Sequence, residues 1–233
     1  MGSDKIHHHH HHMRYFSTDS PEVKTIVAQD SRLFQFIEIA GEVQLPTKPN
    51  PFQSLVSSIV EQQLSIKAAS AIYGRVEQLV GGALEKPEQL YRVSDEALRQ
   101  AGVSKRKIEY IRHVCEHVES GRLDFTELEG AEATTVIEKL TAIKGIGQWT
   151  AEMFMMFSLG RLDVLSVGDV GLQRGAKWLY GNGEGDGKKL LIYHGKAWAP
   201  YETVACLYLW KAAGTFAEEY RSLEELLHHG NQC

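Results

Sequence analysis

The sequence predicts an all-α protein built as two helical lobes. Apolar residues recur at three- and four-residue spacing along most of the chain, strand-like alternation is almost absent, and caps, glycines and prolines cut the stripes at helical lengths.

Residues 1–12, with His7 to His12, read as an expression tag and are set aside, which leaves five of the eleven histidines. From Met13 onward about 220 residues remain, enough for one large domain or two small ones. Asp19-Ser20-Pro21 supplies a cap followed by proline at a first helical position, and Leu33, Phe34, Phe36, Ile37 and Ile39 a second helix. Gly41 to Pro51, with Pro46, Pro49 and Pro51, cannot continue it. Phe52, Leu55, Val56, Ile59 and Val60 recur at helical spacing, as do Ala68, Ala69, Ile72, Val76 and Leu79 after the polar turn Gln62-Gln63-Leu64-Ser65. Gly81-Gly82 ends that helical pair, and Ser94 caps a short helix through Leu98. Ile108, Ile111, Val114, Cys115 and Val118 form a further stripe, and Thr135 with Glu138 matches a capping box before Ile137 and Leu140. Helices near Gly171 to Leu179, Tyr201 to Ala213 and Ser222 to His228 complete the chain. The expected lobes are 13–45 with 166–233, and 46–165.

No apolar run approaches the roughly 18 residues of a membrane span, and no secretion signal follows the tag. The expected setting is the cytoplasm, nucleoid-associated in a prokaryote or nuclear in a eukaryote. Cys115, Cys206 and Cys233 are far apart and odd in number, so neither a disulfide framework nor a thiolate cluster is indicated. The net charge of -5 argues against holding nucleic acid by bulk charge, so any DNA grip must be local. Asn182, Glu184, Asp186 and Gly187 match part of a calcium loop, but Tyr193 stands where its last carboxylate belongs, so a glycine turn is expected.

The chemistry concentrates between Thr135 and Gln173. In Ile143-Lys144-Gly145-Ile146-Gly147 the glycines allow a tight turn while the isoleucines plug the helix interface. The amides of Gly145, Gly147 and the helix starting near Gln148 then suit a phosphate, which unpaired N–H groups and the helix dipole favour without net positive charge. Lys144, Lys139 and Lys105-Arg106-Lys107 offer further backbone contacts, although each taken singly is a solvated charge. Read alone, the hairpin fits an ordinary helix corner as well as a nucleic-acid contact.

Asp169, in Ser166-Val167-Gly168-Asp169-Val170-Gly171-Leu172, precedes a helical pattern and is by itself an N-cap. Such a carboxylate is also ionised and fixed in direction, as an oxocarbenium-like sugar requires when the bond to its base breaks. It can orient or deprotonate the attacking water as well. Trp149 and Trp210 suit the walls of a pocket for an extruded base, with cation-π attraction favouring one made cationic by alkylation. Singly, each tryptophan is a core residue.

Leu140-Thr141-Ala142-Ile143-Lys144-Gly145-Ile146-Gly147-Gln148-Trp149-Thr150-Ala151 and Asp163 through Leu172 resemble the signature of the helix-hairpin-helix DNA glycosylases, in the 3-methyladenine DNA glycosylase II branch. The resemblance extends to Phe52–Ala69, Leu98–Ile108 and Trp198–Trp210. It implies a compact all-helical form with the active-site cleft between the lobes. It makes Asp169 the catalytic carboxylate, and assigns Trp149, Trp210 and Met153 to the base pocket. Gly145, Gly147 and Thr150 fall to the DNA backbone, and Gln63 or Leu64 to the wedge that fills the vacated step. A sodium or potassium ion at the carbonyls of Thr141, Ile143 and Ile146 is implied as well, with no iron-sulfur cluster. Strand-cleaving relatives carry a lysine where Trp149 stands, which implies a monofunctional enzyme. The chain departs from the family at Met153, where some relatives have an aromatic residue, and at Glu202, where many have arginine.

The leading expectation is a monomeric base excision repair enzyme acting on double-stranded DNA. It would remove 3-methyladenine and 7-methylguanine by hydrolysis of the N-glycosidic bond, leaving an abasic site. The alternatives are a non-catalytic DNA-binding module, with Asp169 only a cap, and a glycosylase for deaminated or mismatched bases.

Overall fold

The computed structural model describes residues 12–48 and 50–232. In chain order the elements begin with β1 (His12–Phe16), α1 (Pro21–Val27), α2 (Ser31–Ala40) and β2 (Val43–Thr47). There follow α3 (Pro51–Glu61), α4 (Ile66–Val80), α5 (Glu88–Tyr91), α6 (Asp95–Gln100), α7 (Lys105–Glu119) and α8 (Phe125–Gly130). The remainder comprises α9 (Ala133–Thr141), α10 (Gln148–Phe157), α11 (Val170–Tyr180), α12 (Gly187–Gly195), α13 (Glu202–Gly214), a 3-10 turn (Phe216–Glu218) and α14 (Leu223–Gln232). The fold is all-α, and among the described residues no helix is long and apolar enough to cross a membrane.

The chain divides into two units, Lys48–Leu159, and His12–Thr47 with the chain from Gly160 onward. The second junction thus lies at 159/160, against an expected 165/166. Residues 160–165 belong with α13 because Thr203 fastens them there: its amide donates to Leu162 O, its hydroxyl to Arg161 O, and Val164 N donates to its Oγ1.

In the unit Lys48–Leu159, α3 is the central helix, with Leu55, Val56 and Ile59 fully buried. Asn50 caps it by accepting from Gln53 N, with Pro51 at the first helical position. Helices α4, α7 and α10 pack against α3, and α9 against α10. The start of α9 differs from expectation: it begins at Ala133 with Glu132 as cap, so Thr135 lies inside the helix and the capping box is not formed. Ala133 is a strong helix former, which lets the helix run back past the box. Short α5 and α8, too brief to show a period, were not expected.

In the other unit α11 packs against α12 and α13. Asp30 is a buried anchor whose Oδ1 accepts from Leu33 N while Oδ2 accepts from the Tyr180 hydroxyl at 2.5 Å and Trp198 Nε1 at 2.9 Å. Three elements here, β1, β2 and α12, depart from the sequence expectations. Strands β1 and β2 pair antiparallel, Met13 opposite Pro46 and Phe16 opposite Val43. Only Phe16, Val43 and Leu45 are buried, too few to show alternation, and proline is tolerated because each strand has a free edge. Helix α12 follows the glycine turn directly, capped by Asp186 accepting from Lys189 N. The glycines of that turn hid its start.

Candidate DNA-binding and catalytic sites

The hairpin between α9 and α10 is built as its residues dictate. Ile143 and Ile146 are buried, and Ile146 N donates to Ile143 O to close the turn. Gly145 has φ +98, and an added Cβ would stand 2.2 Å from Cγ of Tyr110 on α7, so neither the backbone nor the space admits a side chain. Gly147 caps α10, whose first intrahelical bond runs from Ala151 N to Gly147 O. The opening turn therefore presents its backbone amides at the positive end of the helix dipole. Trp149 is 51% exposed, and Met153 is half-buried one turn on. Thr150 is 6% exposed, in the first turn of α10.

The basic residues near the hairpin are not all turned outward. Lys144 Nζ pairs with Glu109 Oε1 at 2.8 Å, which raises the lysine pKa and lowers that of the carboxyl. Lys107, expected among the DNA backbone contacts, instead points inward: its Nζ donates to Val60 O at 2.8 Å and Gln62 O at 2.6 Å, and burial lowers its pKa. These are carbonyls at the C-terminal end of α3, where a helix has acceptors to spare and a cation is favoured.

Next to them, the turn Gln62–Ser65 carries the expected wedge residues. Gln63 takes a left-handed backbone at φ 59 and is exposed, as is Leu64. Ile66 is 85% exposed at the first position of α4, whose cap Ser65 accepts from Ala68 N. Gln62 turns the other way and donates Nε2 to Gly145 O at 2.9 Å, joining the wedge turn to the hairpin. A hollow of about 650 Å³ lies among Gln62, Gln63, Lys107, Tyr110, Gly145 and Trp149.

In the other unit Asp169 is the N-cap of α11, and its Oδ2 accepts from Leu172 N at 2.9 Å. The same oxygen accepts from Trp210 Nε1 at 2.8 Å. Gly171 makes room for that indole, since a Cβ there would lie 3.1 Å from Trp210 Cδ1 and 3.2 Å from Asp169 Oδ2. Two donors on one oxygen fix the direction of a half-buried carboxylate. Glu202, at the start of α13, has a buried Oε1 with no hydrogen-bond partner among the described residues, and burial raises its pKa. Cys115 and Cys206 are buried thiols, and burial pushes Cys115 up to about 11.

Of the residues singled out from the sequence, Gly145, Gly147, Trp149, Thr150 and Gln63 line one hollow, and Asp169 and Trp210 are directly bonded. Sequence reasoning missed Lys107 as an inward tie, Gln62 as its partner and Tyr110 as the wall behind Gly145. The only available signal was that Lys107 and Tyr110 share a helix face three residues apart.

Residues 56–200 match the family model described as HhH-GPD superfamily base excision DNA repair protein. Among curated proteins, DNA-3-methyladenine glycosylase 1 of Schizosaccharomyces pombe is 35% identical over 168 residues, covering 71% of this chain and 74% of that protein. Among solved structures, a DNA-3-methyladenine glycosidase from Bacillus halodurans is similar, with 92% identity and a TM-score of 0.78 over 93% of this chain and 98% of that one. The Schizosaccharomyces pombe 3-methyladenine DNA glycosylase in complex with abasic DNA is 31% identical, with a TM-score of 0.69 over 83% of this chain and 96% of that one.

Proposed function

Because the chain belongs to the HhH-GPD superfamily of base excision DNA repair proteins, we propose that it excises 3-methyladenine and 7-methylguanine from duplex DNA by hydrolysis alone. It is a base excision repair glycosylase of the DNA-3-methyladenine type. The lesion range, the residue roles and the use of water rather than a lysine are our reading.

The observation that carries it is the carboxylate of Asp169, held through Oδ2 by Leu172 N and Trp210 Nε1. Methylation at N3 or N7 gives the attached purine a positive charge. The base leaves as a neutral molecule with the electron pair of the C1′–N bond, and the positive charge passes to the sugar. A fixed anion stabilises that cation, and because it is already oriented no reorganisation opposes the step. Water then bonds to C1′ through its oxygen, and its proton passes to Asp169 or to solvent, leaving an abasic site.

The remaining roles follow chemistry. We assign Trp149, Met153 and Trp210 to contact with the extruded base, the indole faces favouring a cationic purine and the thioether adapting to its outline. The amides of Gly145, Gly147 and Thr150 hold a phosphate. Gln63 and Leu64 fill the step that the base vacates. The carbonyls of Thr141, the last residue of α9, and of Ile143 and Ile146 in the hairpin are hard oxygen donors of the kind that suits a sodium or potassium ion, which would add positive charge beside that phosphate. One lesion needs one pocket, and we take the working unit to be a monomer. Trp149 stands in the position of the strand-cleaving lysine, while Lys144 is engaged with Glu109, which supports a monofunctional enzyme.

The test is release of free base from methylated duplex DNA by the intact protein and by Asp169→Asn, with strand integrity followed before and after alkali. Base release by the intact protein alone, with breaks only after alkali, is expected. Binding without release by either protein leaves a DNA-binding module in which Asp169 is only a cap.

A further inference from the structure

Two turns of the unit Lys48–Leu159 must meet one lesion at the same time: the hairpin on a phosphate and the Gln62–Ser65 turn in the vacated step. Their mutual register is therefore as important to extrusion as either turn alone. In the structure that register is fixed by side chains of no assigned role. Lys107 reaches from α7 to hold Val60 O and Gln62 O, the last carbonyls before the wedge. Gln62 then donates to Gly145 O in the hairpin. Tyr110, one turn along α7 from Lys107, lies against Gly145. The wedge turn also needs such a tie, because Gln63 is held at φ 59, a conformation that a non-glycine residue keeps only when its surroundings impose it.

We propose that Lys107 is a positioning residue for base extrusion: through Gln62 it holds the wedge turn in register with the hairpin, so that the duplex meets both at once. It neither touches the reacting atoms nor serves as a phosphate contact. The inference rests on the glycosylase reading and adds to it a separable step. Loss of Lys107 slows extrusion of a base that must leave a stable pair, and spares excision of one whose pairing is already broken, because that cost is met by the substrate.

The experiment compares single-turnover excision of 7-methylguanine paired with cytosine and of the same lesion facing an abasic-site analogue, for the intact protein and Lys107→Met. Methionine keeps most of the apolar stem and removes the ammonium donors. The expected result is a loss of about tenfold or more on the paired lesion and less than about threefold on the unpaired one. Gln62→Met, which cuts only the link to Gly145 O, is expected to reproduce the same selectivity and carries the test if Lys107→Met does not fold. Equal loss on both substrates, or none on either, overturns the proposal while leaving the glycosylase reading intact. An intact protein that releases no base from either substrate overturns both.

Discussion

Trp210 donates its indole N–H to Asp169 Oδ2 at 2.8 Å, on the same oxygen that caps α11 through Leu172 N. The tryptophan is thus an orienting donor to the carboxylate as well as an aromatic surface. Trp210→Phe keeps a flat apolar ring and deletes the donor. A hydrogen bond to a charged group contributes ~1.5–3 kcal/mol, so single-turnover excision is expected to fall about tenfold or more. Affinity for abasic-site DNA should stay within about twofold. A variant with unchanged excision would reduce Trp210 to a pocket wall.

The N-cap of Asp169 and the catalytic role we propose for it can be separated by substitution. Asn is as good an N-cap as Asp, whereas Ala loses the bond from Leu172 N. Asp169→Asn is expected to unfold within about 0.5 kcal/mol of the intact protein, and Asp169→Ala about 1 kcal/mol sooner, in denaturant titrations. Both should release no base.

Gly145 tests the hairpin. Gly145→Ala places a methyl group into the Tyr110 ring at φ +98 and is expected to destabilise by about 2 kcal/mol or more, with weakened DNA binding. Adding Tyr110→Ala removes the collision and leaves the backbone strain, so the double variant should recover only part of the loss against Tyr110→Ala alone. Full additivity of the two substitutions in urea unfolding would show that the ring does not restrict this position.

Trp149 and Trp198 separate surface from core. Trp198 is fully buried and bonded to Asp30, whereas Trp149 is 51% exposed. Trp198→Ala is expected to cost about 3–5 kcal/mol, and Trp149→Ala less than about 1 kcal/mol while it slows excision of methylated purines. Equal destabilisation would make Trp149 a structural residue.

Chemistry without a lysine nucleophile predicts the outcome of borohydride trapping. A Schiff base between an amine and C1′ would be reduced to a stable protein–DNA adduct. With Trp149 in the lysine position, no adduct is expected on lesion DNA under conditions that release free base. A trapped species would make the enzyme bifunctional and direct attention to Lys144 or Lys139.

Most helices were legible because burying one face forces an apolar stripe with the helical period, as in α3, α4 and α7. The strand pair β1–β2 was not, since three buried residues make no pattern and its strands lie far apart in sequence. Helix α12 was hidden by the glycines before it, and α9 began ahead of its capping box because Ala133 extends a helix even where the Glu132 side chain makes no capping bond. The hairpin and the Asp169 cap were visible for the opposite reason: each is completed by residues adjacent in sequence.

The sequence by itself determined the all-α class, the hairpin between α9 and α10, and Asp169 at the start of a helix, because turn geometry, capping and amphipathic period are local. Tertiary structure alone decided where the side chains turn. Trp210 comes to Asp169 across 41 residues, and Lys107 to Gln62 across 45. Such bonds leave no period in a sequence. A lysine that satisfies buried helix carbonyls has the same letter as one in water, and only packing distinguishes them.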